Sequence, residues 1–270
     1  MDALIPIERF EIFANGLDHP ESLAFDREGN LWAGGEAGQV YRISADGKHV
    51  EQIATLGSFN AGLAFSPSGE LIVCNPAQGL VRVHANGKTE LFASHAGDHK
   101  IVCANYGLFD RRGNYYVTDS GQFKNRNGCL CRFTPDGIGR VIAAPFGYAN
   151  GLALTADEKR LFMVESNTDR VLRFDAREDG SVGDAAVHAE NVGRFPDGVT
   201  LDRHGTLYAC CYASDDIHRI SAEGKVERLA WDRWAILLSR PTNMTFGLND
   251  PDTLYVSNLG RYTITRAKVL

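Results

Sequence analysis

Glu21, Asn105, Asn150 and Asp197 each stand four residues ahead of an apolar residue that ends a short β-rich run: Phe25, Phe109, Leu154 and Leu201. Two are carboxylates and two are carboxamides. Such hard oxygen donors suit Ca²⁺ or Mg²⁺ better than zinc. Glu21 sits just ahead of the apolar run Leu23-Ala24-Phe25, where burial is expected and a charge is costly unless it is paired or bound. Residues so far apart along the chain can share one ion only if the fold brings them back to a common point.

The surrounding sequence supplies that means. Six anchors, Phe25, Phe65, Phe109, Leu154, Leu201 and Phe246, follow one another at 40, 44, 45, 47 and 45 residues. A turn follows each anchor, and then a second β-rich run such as "LWAGG", "YYVTD" or "LYACC". A third run ("QVYRI", "LVRVH", "DIHRI"), a hairpin signal ("ADGK", "ANGK", "AEGK") and a fourth run come next. Four strands per repeat of this length is the unit of a β-propeller blade. We therefore expect an all-β, six-bladed propeller with four antiparallel strands per blade, forming one domain over residues 1–270. A strand near residues 8–15, within "ERFEIFAN", should complete the blade that begins near residue 242, removing open edges. "AWDRWAILLSR" (230–240) is the one stretch read as helical, an excursion before blade six.

In a propeller the first strand of each blade lines the central channel. Glu21, Ala61, Asn105, Asn150, Asp197 and Thr242 then form a ring at one mouth. Second strands run back to the same face and end at Gly35, Asn75, Asp119, Glu165, Cys211 and Asn258. Asp119 and Glu165 could orient the neighbouring amides or tune a bound ion. His19, His95 and His99 are candidates to overhang the mouth.

The chain has 270 residues, 44% hydrophobic and 23% charged, with a net charge of −6. That is enough for a full-sized core, and no Lys/Arg cluster marks a polyanion track. Nucleic-acid binding is therefore not expected. Neither is membrane insertion, because the N-terminus lacks signal-peptide character and no apolar run is long enough to span. A cytoplasmic protein is the default. The six cysteines include no CxxC pair, and most lie in or beside predicted strands as small hydrophobes. No nucleophile elbow, HExxH, P-loop or dinucleotide fingerprint is present.

"HPESLAFDREGNLW", "ANGLALTADEKRLFMVES", "FPDGVTLDRHGTLY" and "RPTNMTFGLNDPDTLYVSN" together resemble the gluconolactonase and regucalcin-like (senescence-marker-protein) family of six-bladed, metal-dependent propeller lactonases. Wider relatives include phosphotriesterase-like, paraoxonase-like and strictosidine-synthase-like propellers. The resemblance implies that Glu21, Asn150 and Asp197 are metal ligands and that Asn105 touches metal or substrate. It also implies a hydrolase that opens a lactone or related cyclic ester with one divalent ion. Ca²⁺ is the expected ion, with Mg²⁺, Mn²⁺ or Zn²⁺ as alternatives. The ion would act as Lewis acid on the carbonyl, and Asp197, able to touch both metal and solvent, would be the general base. Asn105, Tyr106, Asp119 and Glu165 are the expected substrate contacts.

Two departures bear on the substrate. The third-blade motif reads "NYG", with Tyr106 where many sugar lactonases have aspartate, and Cys103 stands where some have an arginine. Both make the pocket less suited to an aldonolactone. Alternative readings are a phosphotriesterase-like or non-ester-cleaving metal enzyme and a non-catalytic, metal-stabilised binding propeller. The expected partner is a small-molecule substrate, with no obligate protein partner evident.

Overall fold

The computed structural model describes residues 2–270, and six four-stranded antiparallel sheets account for nearly all of its regular structure. Blade one comprises Leu23–Phe25, Leu31–Gly34, Gln39–Ile43 and Val50–Thr55. Blade two has Leu63–Phe65, Leu71–Asn75, Gly79–Val83 and Thr89–Ala93. Blade three is built from Ala104–Phe109, Tyr115–Asp119, Gly128–Phe133 and Gly139–Phe146. Blade four follows with Ala149–Leu154, Arg160–Glu165, Arg170–Asp175 and Ala186–Ala189. Blade five runs through Pro196–Leu201, Leu207–Cys211, Asp216–Ile220 and Val226–Trp231. Blade six takes Pro241–Phe246, Thr253–Asn258 and Thr263–Lys268 from the end of the chain, and its outer strand, Glu11–Asn15, from the beginning. This is a six-bladed β-propeller, closed by strand pairing between the two ends of the chain.

The repeated turn has a side-chain cause. Asp26, Asp110 and Asp202 each follow a first strand, and one carboxylate oxygen of each accepts two backbone N–H groups of the turn. The following glycines, Gly29, Gly113 and Gly205, take φ of +85°, +85° and +83°, where a side chain would be strained. Apolar residues on the two faces of each sheet pack against the neighbouring blade. Trp32 and Val40 of blade one meet Leu63, Val73 and Val81 of blade two in one such layer. Phe13, Tyr255 and Ile264 of blade six meet Leu23 and Tyr41 of blade one in another.

Residues 230–240 are not helical. Asp232 holds this segment in a chain of turns, its carboxylate accepting from the backbone N–H of Trp234, Ile236, Leu237 and Leu238. A buried aspartate that satisfies four amides removes the donors a helix would direct at its own carbonyls. Among the described residues no helix is long and apolar enough to cross a membrane.

Candidate metal centre

Glu21, Ala61, Asn105, Asn150, Asp197 and Thr242 all border one cavity of about 600 Å³ at a mouth of the central channel. All six of these side chains are buried. Two local features direct them there. In blades three to five the pairing register slips at this point, so that Asn105, Asn150 and Asp197 each sit in a bulge opposite a shorter stretch of the second strand. A bulge re-aims its side chains and bends the strand. The residue after the bulged ligand is glycine in blades four and five. A Cβ on Gly151 would stand 2.5 Å from the carbonyl oxygen of Asp197, and one on Gly198 would stand 2.5 Å from that of Thr242. Only glycine lets adjacent first strands approach so closely at the axis.

The blades are tied together by hydroxyls at this level. Ser257 and Thr242 of blade six donate to the Glu21 carbonyl at 2.8 and 2.7 Å, and Ser120 of blade three donates to the Ala149 carbonyl at 2.7 Å. Ser166 accepts from the Asn150 amide at 3.2 Å while donating to the Pro196 carbonyl at 2.6 Å. The amide of Asn150 is thereby oriented, and its Oδ1 is left without a partner.

Electrostatics at the floor are unbalanced. Burial pushes the Glu21 carboxyl up to about 7, against a hydrogen bond from Thr242. Burial also pushes Asp197 well above the ordinary carboxylate range; the Glu21 charge beside it adds to the push, and a hydrogen bond from Asn150 opposes it. No cationic side chain of the described residues acts on either group. Glu21 Oε2 and Asn150 Oδ1 are buried and unpartnered. Two interacting carboxylates without a cationic partner, one with an unpartnered oxygen, and an unpartnered carboxamide oxygen on the same cavity make a donor set that a hard divalent cation satisfies. The residues fit such an ion. Glu21, Asn150 and Asp197 would hold it, with Asn105 the fourth oxygen donor on the wall.

The other expected site residues are placed differently. Tyr106 does not border the cavity. It packs against the apolar layer between blades three and four. Asp119 and Glu165 lie behind the wall and are fully buried. Asp119 accepts from the backbone N–H of Val102, Cys103 and Gly121 and pairs with His99 at 2.9 Å. Glu165 accepts from Gly147 N–H and from Thr168 and Arg170 side chains. Each acid thus latches the loop that leads into the first strand of its own blade. Asn75 and Asn258 do the same in blades two and six, through Ser58 and Ser239. The structure does not bring Asp119 or Glu165 to the cavity wall because their oxygens are already committed to these loops. His99 serves the Asp119 latch, and His19 bonds the Leu259 carbonyl at 2.7 Å and packs on Tyr262. His95 is exposed and contacts Ser94. All six cysteines are free.

Several lining residues were not anticipated. Phe59, Tyr148 and Phe195 border the cavity beside the expected Cys103, and each of the four stands two residues ahead of a ring position. The repeat that locates the ring also locates these, so the signal was present. Phe123 and Tyr212 complete the wall from connections that follow second strands, where spacing carries no register.

Comparison with known proteins agrees with this architecture. Residues 55–259 match the model of the SMP-30/Gluconolactonase/LRE-like region, and residues 9–43 match that of the strictosidine synthase-like N-terminal region. A lactonase drp35 from Staphylococcus saprophyticus is 29% identical over 229 residues, covering 79% of this chain and 69% of its own. A gluconolactonase from Xanthomonas campestris superposes with a TM-score of 0.83 at 18% identity, over 97% of this chain and 89% of the other. The calcium-binding protein regucalcin from Agrobacterium tumefaciens gives 0.80 at 16% identity, over 100% and 96%. At such identities the two solved structures bear on the fold alone. The family model spans most of the propeller, including blades two to five and the ring residues Asn105, Asn150 and Asp197, and on that match the chain belongs to the SMP-30/gluconolactonase/LRE-like family.

Proposed function

We propose that this protein opens a lactone or related cyclic ester in a reaction that depends on one divalent ion, Ca²⁺ being the ion its oxygen donors suit best. Family membership supports the lactone-opening chemistry. One observation carries the dependence on an ion: Glu21 and Asp197, buried side by side on the axis, have no cationic partner, and Glu21 Oε2 and Asn150 Oδ1 have no hydrogen-bond partner.

A divalent cation bound there supplies Lewis-acid polarisation of the ester carbonyl. The chain's own residues do the rest. Glu21, Asn150 and Asp197 would hold the ion, and Asn105 would supply a further ligand or a contact to the substrate oxygen. Asp197 faces the cavity and, as a carboxylate, takes the proton of the attacking water. The C–O bond of the ring then breaks, and that proton goes to the departing alkoxide, giving a hydroxy acid. Buried donors and acceptors that need no rearrangement make this arrangement effective as a preorganised site.

The test is chelation followed by reconstitution. EDTA-treated protein should lose lactone hydrolysis and regain it with calcium, while Asp197→Asn should stay folded by circular dichroism and lose at least a hundredfold in kcat. Full activity in EDTA, or an Asp197→Asn enzyme with wild-type kcat, would sink the proposal.

A further inference from the structure

We propose that the substrate of this site bears an apolar ring substituent, seated against an aromatic wall made by Phe123, Tyr148, Phe195 and Tyr212. The inference rests on the lactonase reading and names the class of lactone.

Phe195 is the hub of the wall. Its ring centroid lies 5.6 Å from Tyr148, 5.9 Å from Phe123 and 6.1 Å from Tyr212, and Phe123 lies 5.6 Å from Tyr148. These are edge-on or tilted contacts, the geometry in which aromatic rings attract one another, and Lys124 and Arg240 already stand over one face of Phe123 and of Tyr212. All four border the cavity above Glu21 and Asp197.

The wall is not an offshoot of the core. None of the four rings belongs to any of the six buried clusters that join the blades. Phe123 is 58% exposed at the lip. Tyr148 and Phe195 are held at φ of +62° and +53°, a region that bulky side chains seldom occupy. Each strained residue leads directly into a ligand strand, two positions ahead of Asn150 or Asp197. His19 and Arg240, the equivalent positions of blades one and six, share this conformation, so it belongs to the repeat and fixes where the Tyr148 and Phe195 rings enter the cavity.

The remaining wall reinforces the point. Apart from Glu21 and Asp197 no charged side chain of the described residues borders the cavity. Cys103 stands on it as a free cysteine. A polyhydroxylated ring entering this space would give up water hydrogen bonds and find few replacements, whereas a phenyl or comparable ring would replace water against an aromatic wall centred on Phe195 and Tyr148.

Three lactones separate the outcomes: γ-phenyl-γ-butyrolactone, γ-butyrolactone and glucono-δ-lactone, assayed with calcium-loaded protein. The phenyl lactone should exceed its unsubstituted parent in kcat/KM by about tenfold to a hundredfold, the range one well-seated apolar group confers. That ratio should drop at least fivefold in Phe123→Ser, whose exposed position leaves the fold intact, and in Phe195→Ser. A ratio near one, or glucono-δ-lactone as the best substrate, overturns the aromatic seat and leaves the lactonase reading standing. If none of the three is hydrolysed, the lactonase reading falls, and calorimetry on lactams decides the seat by itself. Tenfold tighter binding of 5-phenyl-2-pyrrolidinone than of 2-pyrrolidinone then supports it, and equal affinity overturns it.

Discussion

Removing the charge of Glu21 should stabilise the ion-free protein at neutral and alkaline pH, although the residue sits at the heart of the site. Burial raises its carboxyl from the ordinary 4.5 to about 7. The folded protein therefore holds a proton that the unfolded chain has already released. Between these two values the native state binds more protons, so this group's contribution is most favourable below the unfolded value and is lost as pH rises through about 7. A shift of this size, at about 1.4 kcal/mol per unit, corresponds to about 3 kcal/mol. Asp197 is displaced in the same direction and adds to the loss. Glu21→Gln keeps the shape and cannot ionise. In EDTA, thermal unfolding of the two proteins should coincide near about pH 4 and diverge above it. By about pH 8 the variant should be the more stable, with a Tm about 6 °C higher for a chain of this size. Calcium should reverse the order. At a hundredfold excess over its dissociation constant it adds about 3 kcal/mol to the wild type, and far less to a variant lacking one of its anionic ligands. Parallel pH curves in EDTA, or a variant less stable than wild type near pH 8 without ion, would refute the claim that two unpaired carboxylates strain this floor.

Gly151→Ala should weaken calcium binding at least tenfold by calorimetry and cost about 2 kcal/mol, because its Cβ meets the Asp197 carbonyl at 2.5 Å and must part blades four and five. Asp119→Asn should cost about 2 kcal/mol in urea unfolding, since an amide nitrogen would then confront one of the N–H donors its carboxylate now accepts. The same variant should speed labelling of Cys103 by a thiol reagent, as the loop it holds comes free. Phe10→Ala, just ahead of the closing strand and 3% exposed in the core beside Tyr208 and Met244, should cost about 3–4 kcal/mol. An equilibrium denaturation curve unchanged in that variant would mean that the N-terminal segment does not close the ring.

The repeat made the fold legible. Anchors spaced by 40 to 47 residues and an orphaned N-terminal strand sufficed to place six blades and their closure. Counting back four positions from each anchor found all six residues that border the cavity floor. Periodicity carries this information because every blade presents the same register to the axis. The same logic failed for Asp119 and Glu165. Their register puts them at the mouth, yet burial requires their oxygens to be satisfied, and the nearest donors are the amides of the loops leading into their own blades. It failed again at residues 230–240, where Asp232 commits four amides to turns.

The sequence by itself determined the architecture, the identity of the oxygen-bearing ring and the strand that closes the circle, because these follow from residue type and spacing. Only the tertiary structure decided which way those side chains point and what lies above them. The bulges that aim Asn105, Asn150 and Asp197 form within single blades, whereas the mutual repulsion of Glu21 and Asp197 and the packing of Phe123 and Tyr148 on Phe195 arise from contacts between blades. The repeat marks where such residues stand, but which of them touch is set by partners tens to hundreds of residues apart. Their chemistry exists only once the ring is shut.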